Sequence, residues 1–329
     1  MMTYNSESVP FEQEEKTFAA ADTRIPEIPA FPGHYWPGDR PELPDELEDC
    51  VVEAILGKGG VGDVYQLSRT IRYAIKVIEW NDKSSRPMAQ HEYETAAMFS
   101  ECDYVIRYHK YYEKGNKSFL LQELGQPWYN CRGFHKVQTG DVLNMILDAC
   151  RALSFIHAKG YQHFDVKPQN ILFAGKNAKL GDFSHTYPFE KGKQFMHRMG
   201  TYQFMAPEMA LEKLCSGTED IYSLGITMFF MLRGGRLPYD YSKRFPHVRH
   251  EEDEISTLFL HEDLLEIVKK ATAFDPDQRY QAVEEMQEAI ELVMKTHEDA
   301  MEEMILVDPN CIETTYPWAT CNYHSNIML

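Results

Sequence analysis

The sequence predicts an α+β protein of two unequal lobes, because its strand-like and helical segments occupy different parts of the chain. Strand-like runs are expected at 51–56, 63–67, 73–78, 104–112 and 118–121, and one helix is expected among them, at 91–99. After Gly125 two more short strands are expected, at 171–173 and 178–180, and helical spacing otherwise prevails, from Asp141 and then at about 206–212, 218–232, 261–272 and 280–296. Strands followed by helices within 329 residues favour a small β-rich lobe joined to a larger helical one.

The ends of the chain differ from its middle in composition. Residues 1–50 carry three Lys/Arg against twelve Asp/Glu and are rich in proline, so we expect residues 1–45 to form a disordered acidic tail. From Lys295 onward one Lys stands against six acids, and residues 297–329 are expected to be a second tail. The folded region is then 50–296, with an N-lobe at about 50–124 and a C-lobe at about 125–296.

Composition excludes several classes of protein. A formal charge of −18 argues against a nucleic-acid partner, which requires clustered Lys and Arg. Seven cysteines without a C-x-x-C pair indicate neither a disulfide framework nor a zinc site. The N-terminus has no apolar signal core, and the longest apolar run, 226–232, is shorter than the roughly 20 residues that span a bilayer. We expect a reduced intracellular protein, cytoplasmic or nuclear, that does not bind membranes.

One polar stretch, His163–Asn170, combines residue types that phosphoryl chemistry uses. Asp165, Lys167 and Asn170 supply a carboxylate, an ammonium and an amide, and Asp182 follows twelve residues later. Phosphoryl transfer from a metal-bound nucleotide needs such a set. Taken alone, however, such a polar stretch is more often just a solvated turn.

Two features upstream bear on that choice. The glycine run 57–62 fits a dinucleotide-binding turn, but the residues after it alternate like a strand rather than a helix, which favours a strand–loop–strand flap over phosphates. Lys76 lies in an apolar strand, where it needs a charged partner unless it faces water at an edge. Glu92 is the preferred partner over Glu94, because apolar residues then follow at +4 and +7 on the same helix face.

The order of these motifs resembles the eukaryotic protein kinase family, in its Ser/Thr branch, over residues 50–296. Further matching segments follow in the family's order: Ile156-His157, Gly181-Asp182-Phe183, Gly200-Thr201, Ala206-Pro207-Glu208, Asp220–Gly225 and Asp275–Arg279. The resemblance implies a two-lobed kinase fold, the cofactors ATP and Mg²⁺, and a protein substrate with a Ser or Thr hydroxyl.

The resemblance also implies a role for each matching position. Asp165, Lys167, Lys76 and Glu92 would be catalytic, and Asn170 and Asp182 would bind Mg²⁺. The nucleotide would contact Leu56, Gly57, Lys58, Gly59, Gly60, Gly62, Val64, Ala74, Lys76, Glu123, Gly125 and Leu172, with Gln122 as the gatekeeper residue just before the hinge. Glu208 with Arg279 would form a buried ion pair, and Asp220 would hydrogen-bond the backbone of the catalytic loop.

The sequence departs from the family pattern in a few places. Phe164 replaces the Arg that receives an activation-loop phosphate, and residues 191–199 contain no Ser, Thr or Tyr. We therefore predict activity without phosphorylation of that segment. Ser184 replaces a Gly, and this run together with the missing Arg is also similar to Wee1-like kinases, which act on tyrosine. Lys167 and Thr201 favour Ser/Thr specificity.

Two alternatives stay open at this point. A kinase-shaped scaffold without catalysis would share the fold, but it would have no chemical reason to keep the complete catalytic set. His247 and His250 lie in a loop that is first basic and then acidic. A solvated insertion is a simpler interpretation of this loop than a metal site.

Overall fold

The computed structural model describes residues 41, 43–44, 47, 50–58, 62–68, 72–81, 83–127, 136–193, 200–211, 214–239 and 261–307. Almost all of the expected tail 1–45 lies outside these residues. So do Gly59, Gly60, the histidine loop around 247–250, and residues 194–199.

The N-lobe is a five-stranded antiparallel sheet with one helix packed on it. Its elements are β1 (Val51–Lys58), β2 (Asp63–Ser68), β3 (Tyr73–Glu79), α1 (Ser85–Met98), β4 (Tyr108–Lys114) and β5 (Lys117–Glu123), and the strand order is β1-β2-β3-β5-β4. Alternate side chains of a strand point to opposite faces. One face of the sheet buries an apolar cluster formed by Val52, Leu67, Ile75, Val77, Phe119 and Leu121. The other face is left for the cleft and α1.

Two N-lobe elements begin at positions other than those predicted. Helix α1 starts at Ser85 rather than 91, since Pro87 lies in its first turn, where its missing N–H costs no hydrogen bond. Strand β4 starts at Tyr108 rather than 104. The backbone before it bonds the C-lobe side instead: the Leu180 amide donates to the Tyr104 carbonyl, and the Ile106 amide donates to the Leu180 carbonyl.

The C-lobe is mainly helical. Its helices are α2 (Thr139–Ala158), α3 (Pro207–Ala210), α4 (Glu219–Leu232), α5 (Glu262–Ala271), α6 (Val283–Thr296) and α7 (Glu298–Met301). Its short strands are β6 (Gln126–Pro127), β7 (Lys136–Gln138), β8 (Tyr161–Gln162), β9 (Ile171–Ala174), β10 (Asn177–Leu180), β11 (Tyr187–Pro188) and β12 (Met304–Leu306). Every residue of α4 is buried, which makes this helix the centre of the lobe.

Small sheets join the ends of these elements. The sheet β10-β9-β6 lies where the lobes meet, and β11 pairs with β8. A 3₁₀ turn, Pro168–Asn170, leads directly into β9. Among the described residues, none of the helices has both the length and the apolar composition needed to cross a bilayer.

The chain stays folded beyond residue 300, where the helical spacing in the sequence ends. Strand β12 pairs with β7, and the Thr139 amide at the start of α2 donates to the Glu303 carbonyl. Gly234 has a φ of 62°, and any Cβ there would collide with the Leu306 carbonyl oxygen. Elements of three or four residues are too short to show a period, so sequence spacing could not reveal them.

Candidate active site

The cleft-facing side of the N-lobe sheet is set by strand register. Val64 lies opposite Lys76, and Ala74 lies opposite Gln122. Cross-strand partners share a face of the sheet, so these four side chains point to the same side. Lys76 therefore faces the cleft from the middle of β3, where it is 5% exposed.

The positions predicted to contact adenine line two sides of this cleft. Leu172 on β9 is half-buried, and a Cβ at Gly125 would come within 2.8 Å of the Leu172 Cβ, so the hinge backbone lies directly against that side chain. The Oε1 atom of Gln122 is buried and has no hydrogen-bond partner among the described residues. An unpaired buried amide oxygen is costly unless a donor reaches it, and an adenine ring carries an amino donor. The residues present thus fit a nucleotide.

The other positions predicted to contact the nucleotide are placed as follows. Leu56 is half-buried at the end of β1, and a Cβ at Gly57 would meet nothing within 4 Å. A Cβ at Gly62 would collide with the Val77 carbonyl oxygen, so sheet packing by itself requires that glycine. The Glu123 carboxylate binds Lys179, both of its oxygens lying 2.9 Å from the Lys179 Nζ. The side chain of Lys58 lies outside the described residues, as Gly59 and Gly60 do entirely.

Lys76 joins the two sides of the cleft. Its Nζ lies 3.0 and 2.9 Å from the two carboxylate oxygens of Glu92 on α1, and 3.0 Å from Asp182 Oδ1. Glu92 is completely buried, whereas Glu94 is exposed and bonds Gln90. The structure therefore brings together three predicted residues that are widely separated in the sequence.

The charges of this cluster are mutually supported. Burial lowers the pKa of Lys76, but the carboxylates of Asp182 and Glu92 outweigh burial and raise it, so the side chain stays an ammonium. Burial raises the pKa of Asp182, but the charges of Lys76 and Lys167 and the bond from the Ser184 hydroxyl lower it by more than burial raises it. The pKa of Asp182 therefore lies well below its ordinary range. Asp182 is thus held as a carboxylate.

In each of the two predicted metal ligands, the hydrogen bonds among the described residues leave one side-chain oxygen unused. The hydrogen bonds of Asp182 from Lys76, the Ser184 amide and the Ser184 hydroxyl all end on Oδ1. The amide of Asn170 uses its Nδ2 to bond the carbonyl and the carboxylate of Asp165, at 2.8 and 3.2 Å. Within the described part of the chain, Asp182 Oδ2 and Asn170 Oδ1 are therefore the oxygens that remain for a ligand, and Mg²⁺ prefers oxygen ligands.

The catalytic loop fixes Asp165 from several directions. Lys167 Nζ lies 2.6 Å from Asp165 Oδ2, and the Thr201 hydroxyl donates to Asp165 Oδ1 at 2.9 Å. Lys167 also donates to the Thr201 hydroxyl at 3.0 Å. Because its partners hold both oxygens, the carboxylate keeps one orientation toward the cleft.

Asp220 on α4 supports this loop from below. Its two oxygens accept the backbone amides of His163 and Phe164, each at 2.7 Å, and His157 Nε2 lies 2.8 Å away. Phe164 adopts a φ of 61°, which is strained for a bulky side chain, and these bonds hold it there. A Cβ at Gly200 would collide with the Phe164 carbonyl oxygen, so the segment carrying Thr201 lies directly against the loop.

A second buried ion pair ties α3 to the region before α6. The Arg279 guanidinium binds the Glu208 carboxylate in a bidentate manner, with distances of 2.7 and 2.8 Å. Arg279 also donates to the carbonyls of Ala273 and Phe274. This pair keeps the segment after Thr201 attached to the C-lobe.

Three residues near the site were missed by sequence reasoning. Tyr108 on β4 donates its hydroxyl to Glu92 Oε1 at 2.7 Å. His91 on α1 lies 2.9 Å from the Thr186 carbonyl and stacks on Tyr187. Nothing in the local sequence signals these contacts, because each partner lies in a distant segment.

The third missed residue is His185, two positions after Phe183. It lies among the charges of Asp165, Asp182, Lys167 and Lys76, and burial lowers its pKa below the ordinary value. It is therefore neutral at neutral pH. His185 lies within the recognisable run Gly181–His185, but a single histidine has no sequence spacing that would indicate a role.

Comparisons with known proteins identify the family of the chain. The protein kinase domain model matches residues 50–303. The serine/threonine-protein kinase pkn2 of Myxococcus xanthus is 29% identical over 201 residues, which cover 56% of this chain and 24% of that protein. The serine/threonine-protein kinase PknB of Mycobacterium tuberculosis (strain ATCC 25618 / H37Rv) is 37% identical over 158 residues, 44% of this chain and 25% of PknB.

A mammalian relative shows a similar match. The interferon-induced, double-stranded RNA-activated protein kinase of Mus musculus is 28% identical over 203 residues, 54% of this chain and 38% of that protein. The alignments thus span about a quarter to two fifths of the length of these curated relatives. The domain match, together with the five-stranded lobe and the helical lobe, confirms the predicted two-lobed fold. The chain therefore belongs to the protein kinase family.

Proposed function

We propose that the chain is a serine/threonine protein kinase, which transfers the γ-phosphoryl group of MgATP to a hydroxyl group of a protein substrate. One observation carries the proposal: the cleft holds two closed charge networks, Lys76 with Glu92 and Asp182, and Asp165 with Lys167 and Thr201. The relatives named serine/threonine-protein kinase support it. A scaffold that only bound partners would have no chemical need for both networks.

Each residue has one task in this mechanism. Lys76, kept charged and directed by Glu92, holds the α- and β-phosphates. Asp182 and Asn170 would hold the magnesium ions, which would supply positive charge to neutralise the phosphates. Asp165 orients the substrate hydroxyl and accepts its proton, and Lys167 neutralises the charge that develops on the transferred group. The rate then depends on positioning, which the networks provide before substrate binds.

We further propose that catalysis does not require phosphorylation of the activation loop, the segment that includes residues 191–199. In the family, the Arg directly before the catalytic Asp acts by bonding a phosphate. Phe164 takes the place of that Arg here, and only 4% of its surface is exposed. Asp220 already fixes the backbone of the loop through two amide bonds. These bonds hold the loop without a phosphate.

The test of the main proposal is phosphoryl transfer from labelled MgATP to a library of Ser-, Thr- and Tyr-containing peptides. Lys76→Met and Asp182→Asn are expected to abolish transfer while keeping a cooperative melting transition. Lys110→Met is the matched control, since Lys110 is an exposed lysine on β4, and it should retain full activity. Transfer by wild type that survives in both cleft variants would contradict the proposed chemistry.

The products distinguish the alternatives. Phosphoserine and phosphothreonine support the proposal, whereas exclusive phosphotyrosine would favour a Wee1-like activity. A wild type that shows neither transfer nor an MgATP-dependent rise in melting temperature would be a scaffold.

The proposal about phosphorylation has its own test. The chain is produced in a host without protein kinases and assayed before and after phosphatase treatment. Equal activity is the expected result. Strong inactivation by phosphatase, with the lost phosphate mapped between residues 183 and 199, would refute it.

A further inference from the structure

A cluster of two histidines and one carboxylate lies on the C-lobe and takes no part in the site described above. His261 precedes α5, Asp263 lies in the first turn of that helix, and His297 directly follows α6. Asp263 Oδ2 is 2.7 Å from His297 Nε2 and 4.0 Å from His261 Nδ1. One ligand atom from each of the three residues lies within 4.8 Å of the others, and the two imidazole rings are 4.3 Å apart.

We propose that His261, Asp263 and His297 form a binding site for Zn²⁺, with water as the fourth ligand. Zinc takes imidazole nitrogens and carboxylate oxygens at about 2.0–2.2 Å in a tetrahedron, so its ligand atoms lie about 3.3 Å apart. The two distances from Asp263 Oδ2, 2.7 and 4.0 Å, lie on either side of that value. Small side-chain rotations therefore suffice to bring the three atoms around one ion.

The ligand set favours zinc over the magnesium that the catalytic cleft uses. Two nitrogens and one oxygen form a borderline-soft donor set, whereas Mg²⁺ prefers oxygens alone. A site of this composition therefore binds Zn²⁺ in the presence of the millimolar Mg²⁺ that nucleotide binding requires.

The hydrogen bonds in the cluster are compatible with ligation. His261 Nδ1 accepts the Asp263 amide at 3.3 Å, so a lone pair rather than a proton lies at that nitrogen. Such a long bond is readily exchanged for a bond to a metal ion. In His297, ligation through Nε2 places the ring proton on Nδ1, a change of tautomer that solvent can mediate because the side chain is 36% exposed.

The exposure of the ligands sets the character of the site. Their side chains are between 31 and 51% exposed, so an ion can enter from solvent and retain a water molecule. Among the described residues, the remaining ring nitrogens have no recorded partner to orient them. Since such partners raise metal affinity about 10–100-fold, we expect a moderate affinity rather than that of a closed structural site.

Zinc at this position would fasten the C-terminal part of the lobe. It would join the start of α5 to the end of α6, at the point where the chain continues into α7 and β12. Strand β12 in turn pairs with β7, immediately before α2. Because the three ligands come together only in the fold, zinc binds the native state in preference to the unfolded chain and stabilises it.

The test uses the full chain after treatment with a chelator, in buffer with excess Mg²⁺. Zn²⁺ binding is measured by calorimetry, Co²⁺ binding by its visible absorption bands, and stability by the melting temperature. His261→Asn keeps an acceptor at the start of α5, and His297→Gln changes an exposed position, so both should fold. Glu262→Gln is the matched control, since it removes a neighbouring carboxylate that is not a ligand.

We expect wild type and Glu262→Gln to bind one equivalent of Zn²⁺ more than either histidine variant. Counting equivalents separates this site from the histidines outside the described residues. At a zinc concentration a hundredfold above Kd, the melting temperature of wild type should rise by roughly 5 °C, and this rise should be lost in both variants. Equal stoichiometry in all four proteins, or an undiminished rise in the variants, would overturn the proposal. So would variants that melt lower without zinc but respond to zinc as wild type does, since the cluster would then be only a hydrogen-bonded one.

Discussion

The hydroxyl of Tyr108 offers a direct way to test how the Lys76–Glu92 pair is held. From β4 it donates to Glu92 Oε1 on α1 at 2.7 Å, and Glu92 in turn binds Lys76. Tyr108→Phe removes the hydroxyl oxygen alone. The ring remains and keeps its contact with Phe183, whose centroid lies 6.2 Å away.

The size of the effect follows from the charge of the acceptor. A hydrogen bond to an ionised group contributes about 1.5–3 kcal/mol, and Glu92 is fully buried, so water cannot replace the lost donor. Burial raises the pKa of Glu92, while Lys76 and the Tyr108 hydroxyl lower it. Removing the hydroxyl therefore raises this pKa further, because the ionised form of Glu92 loses a hydrogen-bond donor.

The assay combines urea unfolding with the pH dependence of peptide phosphorylation. We expect the free energy of unfolding to fall by about 1.5–3 kcal/mol. The acidic limb of kcat/KM should move to higher pH, because protonated Glu92 no longer directs Lys76. Such a shift separates a positioning role from a purely structural one.

Tyr111→Phe is the matched control on the same strand. The Tyr111 hydroxyl also bonds a carboxylate, that of Glu113 at 2.7 Å, but this bond is exposed to solvent. Its other partner, Ser118 Oγ at 2.9 Å, keeps a bond from Trp80 Nε1 when the hydroxyl is removed. The control should lose less than about 1 kcal/mol and keep the wild-type pH profile. A Tyr108→Phe protein indistinguishable from it in both measurements would refute the reasoning.

Three further predictions concern the C-lobe. Arg279→Met should lower the free energy of unfolding in urea by about 3–5 kcal/mol, because it leaves Glu208 buried without its partner; the double variant with Glu208→Leu should recover most of this loss, and no recovery would show that the pair is not the cause. Burial raises the pKa of the Asp220 carboxyl group, but bonds from His157 and the His163 amide outweigh burial and bring the pKa in the folded protein below 3.8. The ionised carboxylate therefore stabilises the fold above pH 3.8, and this stabilisation is lost as the pH falls through the pKa of the folded protein. Unfolding of wild type and Asp220→Asn should therefore differ by a constant amount above pH ~5 and converge in more acidic solution, and a difference that grows there would contradict the assignment. Gly234→Ala should lower the melting temperature by several degrees and speed proteolysis near residue 306, because its Cβ would collide with the Leu306 carbonyl; an unchanged cleavage pattern would exclude that contact.

The residues of the candidate site could be singled out in the sequence because they are grouped in short runs. Asp165, Lys167 and Asn170 lie in one loop, and Asp182 follows closely, so their spacing is visible in the sequence. The division into a β-rich and a helical lobe was equally visible, since the hydrophobic period changes from 2 to 3.6 along the chain. In both cases the information is local.

Other features depend on contacts between distant segments, which leave no period or spacing in the sequence. The bond from Tyr108 to Glu92 and the meeting of His261 with His297 arise only when separate elements pack together. Residues 304–306 form a strand because they pair with β7. Strand β4 starts at Tyr108 because the backbone before it bonds Leu180 instead. The sequence by itself thus determined which chemical groups the cleft contains. Only the tertiary structure decided how they are held, because the holding groups lie far from them in the chain.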